Sequence, residues 1–282
     1  MNFRLSRRKF LTGTLVAGAG VLVDMRLLEP RWLRIHHVDV ALPTGRTANP
    51  FRILHISDLH SSKDVPLSFI KKAIERGLEQ NPDIVCITGD LISHHIPDKH
   101  KYADCLRMLS AAAPCYACTG NHDGGDWVRP YGGYADLTQI RSLLDQSNIE
   151  LLFNASKRIS VNGSAIELVG LGDYWANDAH PEQAFPKQEN PSDACRLVLS
   201  HNPDSKMILN HYAWDLMLCG HTHGGQLVVP FYGTPFAPVS DHRYVHGLNP
   251  WKQRLIYTTS GIGNLHSMRA NCRPEVAILN VA

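Results

Sequence analysis

Five times along this chain a short apolar run stops at aspartate, asparagine or histidine. Phe51–Ser57 runs into Asp58-Leu59-His60, Asp83–Thr88 into Gly89-Asp90, and Cys115–Thr119 into Gly120-Asn121-His122-Asp123. Leu197–Ser200 runs into His201-Asn202-Pro203, and Asp215–Cys219 into Gly220-His221-Thr222-His223-Gly224-Gly225-Gln226. Runs this short and this apolar read as strands, Asp83–Thr88 and Asp215–Cys219 as buried ones. Polar residues that follow each strand then collect at one edge, where the carboxyl ends of the strands meet. The pattern confines the chain to an α/β (α+β) layout with a site at that edge.

The intervening stretches fit this layout. Pro66–Asn81 is predicted to be an amphipathic helix, with Ile70, Ile74 and Leu78 four apart, and Pro82 breaks it. Lys101–Ala111 and Ala135–Ser147 are further helices, the latter after a glycine-rich loop over 124–133. Glu150–Asn154 reads as a strand, followed by a hairpin of Lys157–Val161 and Ile166–Gly170 that turns at Asn162-Gly163. Residues 173–195 read as a surface loop and 230–250 as a loop rich in proline and glycine, with strands at Leu255–Thr259 and Glu275–Val281. No linker divides this region, so 51–282 is expected to be one domain and 31–50 a connecting segment.

Residues 1 to about 30 read as an address. Ser6-Arg7-Arg8-Lys9-Phe10-Leu11 precedes an uncharged run, Phe10–Val23, and the paired arginines match the twin-arginine export signal. An exported protein that is periplasmic, or anchored in a bacterial inner membrane through this segment, is the expectation, with the twin-arginine machinery as a partner. The formal net charge of +2 is also concentrated there: residues 1–24 hold Arg4, Arg7, Arg8 and Lys9 against Asp24, which leaves −1 for the rest. A near-neutral body argues against a nucleic-acid surface. The seven cysteines are irregularly spaced and several lie in apolar runs, which implies buried thiols rather than a disulfide framework. Cys115 and Cys118 are three apart in a predicted strand and so point to opposite faces.

The strand-end residues are candidate metal ligands: Asp58, His60, Asp90, Asn121, His201, His221 and His223, with His122 beside them. His221 and His223 are two apart, so in extended backbone both imidazoles leave on the same side, as do Asp58 and His60. Carboxylate, amide and imidazole without thiolate suit manganese, iron or zinc outside a structural zinc site. The number of groups exceeds what one tetrahedral ion uses, whereas two ions bridged by a carboxylate account for it. Trp127, Tyr131, Tyr174 and Trp175 lie in loops that could border such a site, and Arg269 and Arg273 read as structural.

The ordered set Asp-x-His, Gly-Asp, Gly-Asn-His-Asp, His, Gly-His-x-His resembles that of the calcineurin-like metallophosphoesterase superfamily over residues 51–282. Ser200-His201-Asn202-Pro203-Asp204 and the Gly-His-Thr-His-Gly-Gly-Gln stretch look most like small bacterial phosphodiesterases of the YaeI type. The chain departs from the pattern by Asp123, where many members carry glutamate, and by Ser200 before His201. The resemblance implies two packed mixed β-sheets flanked by helices, with a dinuclear metal site at the strands' carboxyl ends. It implies one ion held by Asp58, His60, Asp90 and His223 and a second by Asp90, Asn121, His201 and His221, with manganese foremost and iron or zinc as alternatives. His122 would then be the catalytic residue, protonating the leaving group or holding a phosphate oxygen during in-line attack by a metal-bridging hydroxide. The implied activity is that of a phosphodiesterase on a small phosphodiester. The alternatives are hydrolysis of a pyrophosphate such as that of lipid-linked UDP-2,3-diacylglucosamine, and a non-catalytic metal-binding scaffold.

Overall fold

A computed structural model describes residues 7–185 and 194–282, apart from 44, 46 and 48. Part of the loop expected over 173–195 therefore lies outside the described residues, as do Arg4 and Ser6. In chain order the strands begin with β1 (Arg34–Val40), β2 (Phe51–Ile56), β3 (Ile84–Thr88), β4 (Cys115–Cys118), β5 (Glu150–Leu151) and β6 (Ala155–Val161). They continue with β7 (Ser164–Gly170), β8 (Ala194–Leu199), β9 (Leu216–Cys219), β10 (Gly247–Trp251), β11 (Arg254–Thr258) and β12 (Glu275–Val281). One sheet has the order β1-β12-β2-β3-β4-β5 and the other β10-β11-β9-β8-β7-β6. Both are mixed: β2, β3, β4 and β5 are parallel, as are β7, β8, β9 and β11, while β12 and β10 pair antiparallel to β2 and β11.

The apolar runs are buried on both faces because each sheet lies between two layers. Ile53, Cys86 and Cys118 of the first sheet meet Leu168, Leu197, Leu199 and Leu218 of the second in a shared core. Leu54, Ile56, Val85 and Ile87 face the other way, against Ile70 and Ile74 of α2 (Leu67–Leu78) and Tyr102 and Leu106 of α3 (Lys99–Ala112). Val169, Val198 and Met217 cover the outer face of the second sheet together with Phe185, Leu209 and Trp214. Cys115 packs on the helix side and Cys118 between the sheets, and all seven cysteines are buried. The hairpin turns at Asn162 (φ 50°) and Gly163 (φ 80°), the left-handed pair that a two-residue turn requires.

Several expectations need correction. The segment 31–50 contains β1, which pairs in parallel with β12, so the folded body begins before residue 51. The 230–250 loop ends in β10, whose Pro250 is tolerated because this edge strand pairs only with β11. The helix expected from Ala135 starts at Thr138, where the carboxylate of Asp136 accepts the Thr138 N–H at 2.8 Å and sets the turn. The strand expected over Glu150–Asn154 is two residues long.

The helix Arg7–Val23 (α1) stands apart from both sheets, with Leu15, Val16, Leu22 and Val23 exposed. Among the described residues no helix is long and apolar enough to cross a membrane. The chain leaving this helix, set apart from the fold in the sequence, is seated on it. Met25 accepts the Arg269 N–H at 2.9 Å, and the Glu29 carboxylate accepts the backbone N–H groups of Asn271 and Cys272.

A buried network joins β12 to the second sheet. Glu275 is fully buried and accepts from Tyr257 Oη (2.6 Å), Thr259 Oγ1 (3.1 Å), His246 Nε2 (2.9 Å) and the Arg34 guanidinium. Burial favours its neutral form, but the hydrogen bonds from His246 and His36 outweigh it and hold the carboxyl well below the usual range. A depressed folded pKa gives stability that is present at neutral pH and is lost as pH falls below the ordinary glutamate range. Glu275→Gln leaves Arg34, itself partly exposed, without its carboxylate and weakens the acceptor for Tyr257 and His246. Its expected cost is about 1–2 kcal/mol, read as a thermal midpoint lower by roughly 2–8 °C at pH 7, with the gap to wild type narrowing in acid.

Candidate metal centre

The strand-end residues meet where the two sheets join. The first sheet delivers Asp58 and His60 after β2, Asp90 after β3, and Asn121 and His122 after β4. The second delivers His201 after β8 and His221 and His223 after β9. The backbone leaves extended geometry at these points: Asp58, His60, Asp90, His221 and His223 have φ of 52°, 44°, 52°, 68° and 50°. The same-side rule for residues two apart in a strand therefore does not operate here. Each side chain is aimed by a left-handed kink, and such strain in non-glycine residues gathers at functional sites.

The side chains converge closely. Asp90 Oδ2 lies 3.1 Å from His201 Nε2 and 3.3 Å from His60 Nε2, so one carboxylate oxygen faces imidazoles from both sheets. His223 Nε2 is 3.4 Å from Asp58 Oδ1 and 3.1 Å from His60 Nε2, and His221 Nδ1 is 3.0 Å from Asn121 Oδ1. Donor atoms of Asp58, His60 and His223 lie within 4.8 Å of one another, and so do those of Asp58, Asp90 and His201. His122 stands at the rim, within the same distance of His60 and Asp90. All seven candidate ligands are buried.

Backbone groups orient this set. His201 Nδ1–H donates to the Thr88 carbonyl at 2.7 Å, which aims Nε2 at Asp90. His122 Nδ1–H donates to the Ser93 carbonyl at 2.9 Å, and its own N–H donates to Asp90 Oδ1 at 2.9 Å. Asp58 accepts the His221 N–H at 3.1 Å through both oxygens. Asp123 holds the loops together: Oδ2 accepts the N–H groups of Asp90 (3.0 Å) and Gly120 (2.8 Å), and Oδ1 that of Leu91 (2.8 Å). Burial and the nearby Asp90 push its carboxyl up to about 7.

The electrostatics suit a cation. Burial pushes Asp58 above the usual carboxylate range against the pull of His201. Burial acts on Asp90 in the same sense, but the imidazoles of His201 and His122 prevail and hold it well below that range. His201 is raised well above an ordinary histidine: burial opposes this, but Asp90 and Asp58 more than offset it. Burial keeps His221 and His223 well below, hence neutral, which is the form that ligates. His221 Nε2 is buried without a hydrogen-bond partner, while His201 Nε2 is paired with Asp90 Oδ2 at 3.1 Å. Buried imidazole nitrogens beside two carboxylates and an amide oxygen fit a pair of divalent ions of intermediate softness.

Close approach is what the glycines supply. A Cβ on Gly220 would stand 1.9 Å from Ser57 Oγ and 2.2 Å from Asp58 Oδ2, and one on Gly120 would stand 2.3 Å from Asp90 Oδ1. Gly220→Ala must therefore displace Asp58. The expected outcome is loss of one of two metal equivalents on metal analysis, with far-ultraviolet circular dichroism unchanged.

A cavity of about 400 Å³ opens beside the cluster. Asp90, His122 and His221 line it together with Trp127, Trp175 and Phe236. Trp127 stacks edgewise on His122 (4.9 Å) and Trp175 on His221 (4.2 Å), the two indoles being 5.8 Å apart. Of the four loop aromatics, these two form the wall; Tyr131 packs on Trp127 at 5.4 Å and is itself exposed, and Tyr174 lies off the lining.

Other polar residues have structural partners. Arg269 is fully buried and donates to the carbonyls of Ser260, Gly261, Gly263 and Cys272, while Arg273 lies over Trp32 and donates to its carbonyl. A larger cavity, about 670 Å³, lies behind the His223–Gly225 turn, between Trp32, Arg34 and His246. His36, His246 and Glu275 bring donor atoms together at its edge, but Arg34 and Tyr257 already occupy the Glu275 oxygens. Asp123, Ser93 and Phe236 were not singled out in the sequence as parts of the site. Of these only Asp123 left a signal there, as a carboxylate three residues after a loop glycine.

The calcineurin-like phosphoesterase family model matches residues 51–225. Phosphodiesterase YaeI of Escherichia coli (strain K12) is 43% identical over 280 residues, 98% of this chain and 99% of that one. UDP-2,3-diacylglucosamine pyrophosphatase LpxG of Chlamydia muridarum is 29% identical, over 89% of this chain and 90% of that one. Among solved structures, TT1561 of Thermus thermophilus superposes with a TM-score of 0.43 at 12% identity, over 76% of this chain and 91% of that one.

Proposed function

The chain belongs to the calcineurin-like phosphoesterase family and is a metal-dependent hydrolase of phosphoesters, and from that premise we propose that it is a dinuclear phosphodiesterase with Asp90 as the bridging ligand. The observation that carries this reading is the single oxygen, Asp90 Oδ2, set between His60 of one sheet and His201 of the other. Asp58, His60 and His223 would hold the first ion with it, and Asn121, His201 and His221 the second. Bound there, divalent ions supply positive charge to an anionic ester and a water acidic enough to attack near neutral pH. Manganese is the proposed metal, with iron and zinc as alternatives. The donor set supports this choice, since it holds imidazole, carboxylate and amide groups but no thiolate.

His122 is the proposed catalytic residue. Its Nδ1–H is taken by the Ser93 carbonyl, so Nε2 is the atom that meets the substrate. As an imidazolium, Nε2–H hydrogen-bonds a phosphate oxygen or passes its proton to the departing alkoxide. Trp127 and Trp175 flank it and His221, and their indole faces suit a base, sugar or acyl portion of the ester.

The test is hydrolysis of bis-p-nitrophenyl phosphate by protein stripped of metal and reloaded with manganese, iron or zinc. Turnover that requires the added metal is the expected result. No turnover with any of the three favours the metal-binding scaffold. The pyrophosphate of UDP-diacylglucosamine is the second candidate substrate, favoured by the aromatic and aliphatic wall of the cavity. A panel of diesters, monoesters and nucleotide-sugar pyrophosphates separates the two. Export by the twin-arginine route to the periplasmic side is also proposed, on the strength of Arg7-Arg8 before an uncharged run and of seven buried cysteines, which suit export after folding. Retention of an Arg7→Lys/Arg8→Lys variant in the cytoplasm is the expected result on cell fractionation.

A further inference from the structure

Most of the large apolar side chains exposed among the described residues fall into two groups. One runs from Leu15 to Trp32, along α1 and the chain that leaves it. The other is the tip Val229–Phe236, where Phe231 is 109% exposed, Tyr232 79% and Phe236 71%. The tip is built, not frayed. Val229 and Gly233 exchange backbone hydrogen bonds at 2.8 and 2.9 Å, and Phe231 sits between them at φ 65°. An ordered turn that shows two adjacent aromatic rings to solvent marks an interaction site.

The two groups are joined through one segment, residues 264–272. On one side Met25 accepts the Arg269 N–H, and Glu29 holds the N–H groups of Asn271 and Cys272. On the other, Val228 donates to the Ala270 carbonyl at 2.8 Å and the Gln226 side chain bonds both the N–H and the carbonyl of Leu265. Asn264 and Ser267 of this segment also border a cleft of about 400 Å³ that is ringed by Arg26, Arg31, Lys63 and Lys72 against one carboxylate, Asp64. Leu265 and His266 line the active-site cavity together with Leu227 and with Phe236 of the aromatic tip. Exposed aromatic rings, a cationic cleft and the mouth of the site therefore share one face.

We propose that this face rests on an anionic lipid surface. The rings of Phe231 and Tyr232 enter the headgroup–acyl boundary, and Arg26, Arg31, Lys63 and Lys72 lie against the headgroups. Aromatic rings beside a basic collar match what such a boundary offers: apolar depth beneath a sheet of negative charge. The cavity mouth then opens at the lipid, and the ester it takes is one whose acyl part passes Phe236 and Leu227. The substrate half of the proposal rests on the phosphoesterase reading, and the docking half stands without it.

The experiment is sedimentation of the full chain, reloaded with manganese, with vesicles of phosphatidylcholine alone or with added phosphatidylglycerol. Phe231→Ser/Tyr232→Ser is compared with Lys63→Glu/Lys72→Glu and wild type. Wild type is expected to bind the anionic vesicles more tightly than the neutral ones. The aromatic variant loses about tenfold in partitioning to both, and the charge variant loses about tenfold to the anionic vesicles only. Hydrolysis of a soluble diester is unchanged in both variants, whereas cleavage of a vesicle-borne phosphodiester falls in parallel with binding. If the aromatic variant partitions like wild type, α1 alone holds the chain on lipid and the proposal is overturned. Concentration-dependent dimerisation lost in the aromatic variant, without a change in vesicle binding, assigns the tip to a second copy and also overturns it. Failure of the phosphoesterase reading shows separately, as absent turnover of the soluble diester by wild type that still binds vesicles.

Discussion

Asp90→Ala is expected to lose both metal ions and at least about a thousandfold in kcat/KM, since Lewis-acid stabilisation worth several kcal/mol disappears at once. The reason is geometric. Asp90 Oδ2 lies within 3.3 Å of an imidazole from each sheet, while Oδ1 is committed to the His122 N–H. Asp58→Ala, by contrast, removes a carboxylate that faces His223 at 3.4 Å and His60 and His201 at 3.9 Å each, and under the proposed assignment should cost the first ion and weaken less the one assigned to Asn121, His201 and His221. Metal analysis after reloading separates the outcomes. If Asp90→Ala retains two equivalents, Asp90 does not bridge.

The second large effect belongs to His122, and it depends on what leaves. With an alkyl leaving group, an unprotonated alkoxide is a strong base, and His122→Ala should cost about 10²–10⁴ in kcat. With p-nitrophenolate, a weak base that departs without a proton, the loss should fall within about tenfold. Equal losses for both esters would assign His122 to holding a phosphate oxygen instead. The pH profile carries the same distinction. The proton donor is the imidazolium, so turnover of the alkyl ester falls as pH rises through the pKa of His122. Burial lowers that pKa from its ordinary value, so in the free enzyme the descending limb lies on the acid side of about 6.5.

The strand ends were legible because buried parallel strands leave a plain trace: a short apolar run that ends in polar residues. What lay in extended stretches of mixed character was not. In β1 two adjacent histidines and an aspartate interrupt the alternation of Arg-Ile-His-His-Val-Asp-Val, and only pairing with β12 makes it a strand. β10 carries Gly247 and Pro250, which read locally as loop and are admitted only by its edge position. The convergence of His221 and His223 does not follow from their spacing. Their spacing implied a strand, whereas both are aimed by left-handed turns, and Gly220 and Gly224 clear the space around them. The role of Asp123 could not be read at all from a one-residue difference within a motif, because its three partners come from two separate loops.

The site draws on both sheets, and the consequence reaches beyond catalysis. Asp58, His60, Asp90 and Asn121 stand on one slab, His201, His221 and His223 on the other, and between the slabs lie side-chain packing and a few hydrogen bonds, those of Glu275 among them. Ions held under the proposed assignment act as a clasp across that seam. They bind the native chain alone, and a free concentration a hundredfold above the dissociation constant adds about 2.7 kcal/mol to its stability. The clasp works in both directions. A cavity cut far from any ligand, such as Leu197→Ala in the shared core, lets the slabs shift and so weakens metal retention. Occupancy becomes a gauge of how firmly the two halves of the molecule are pressed together.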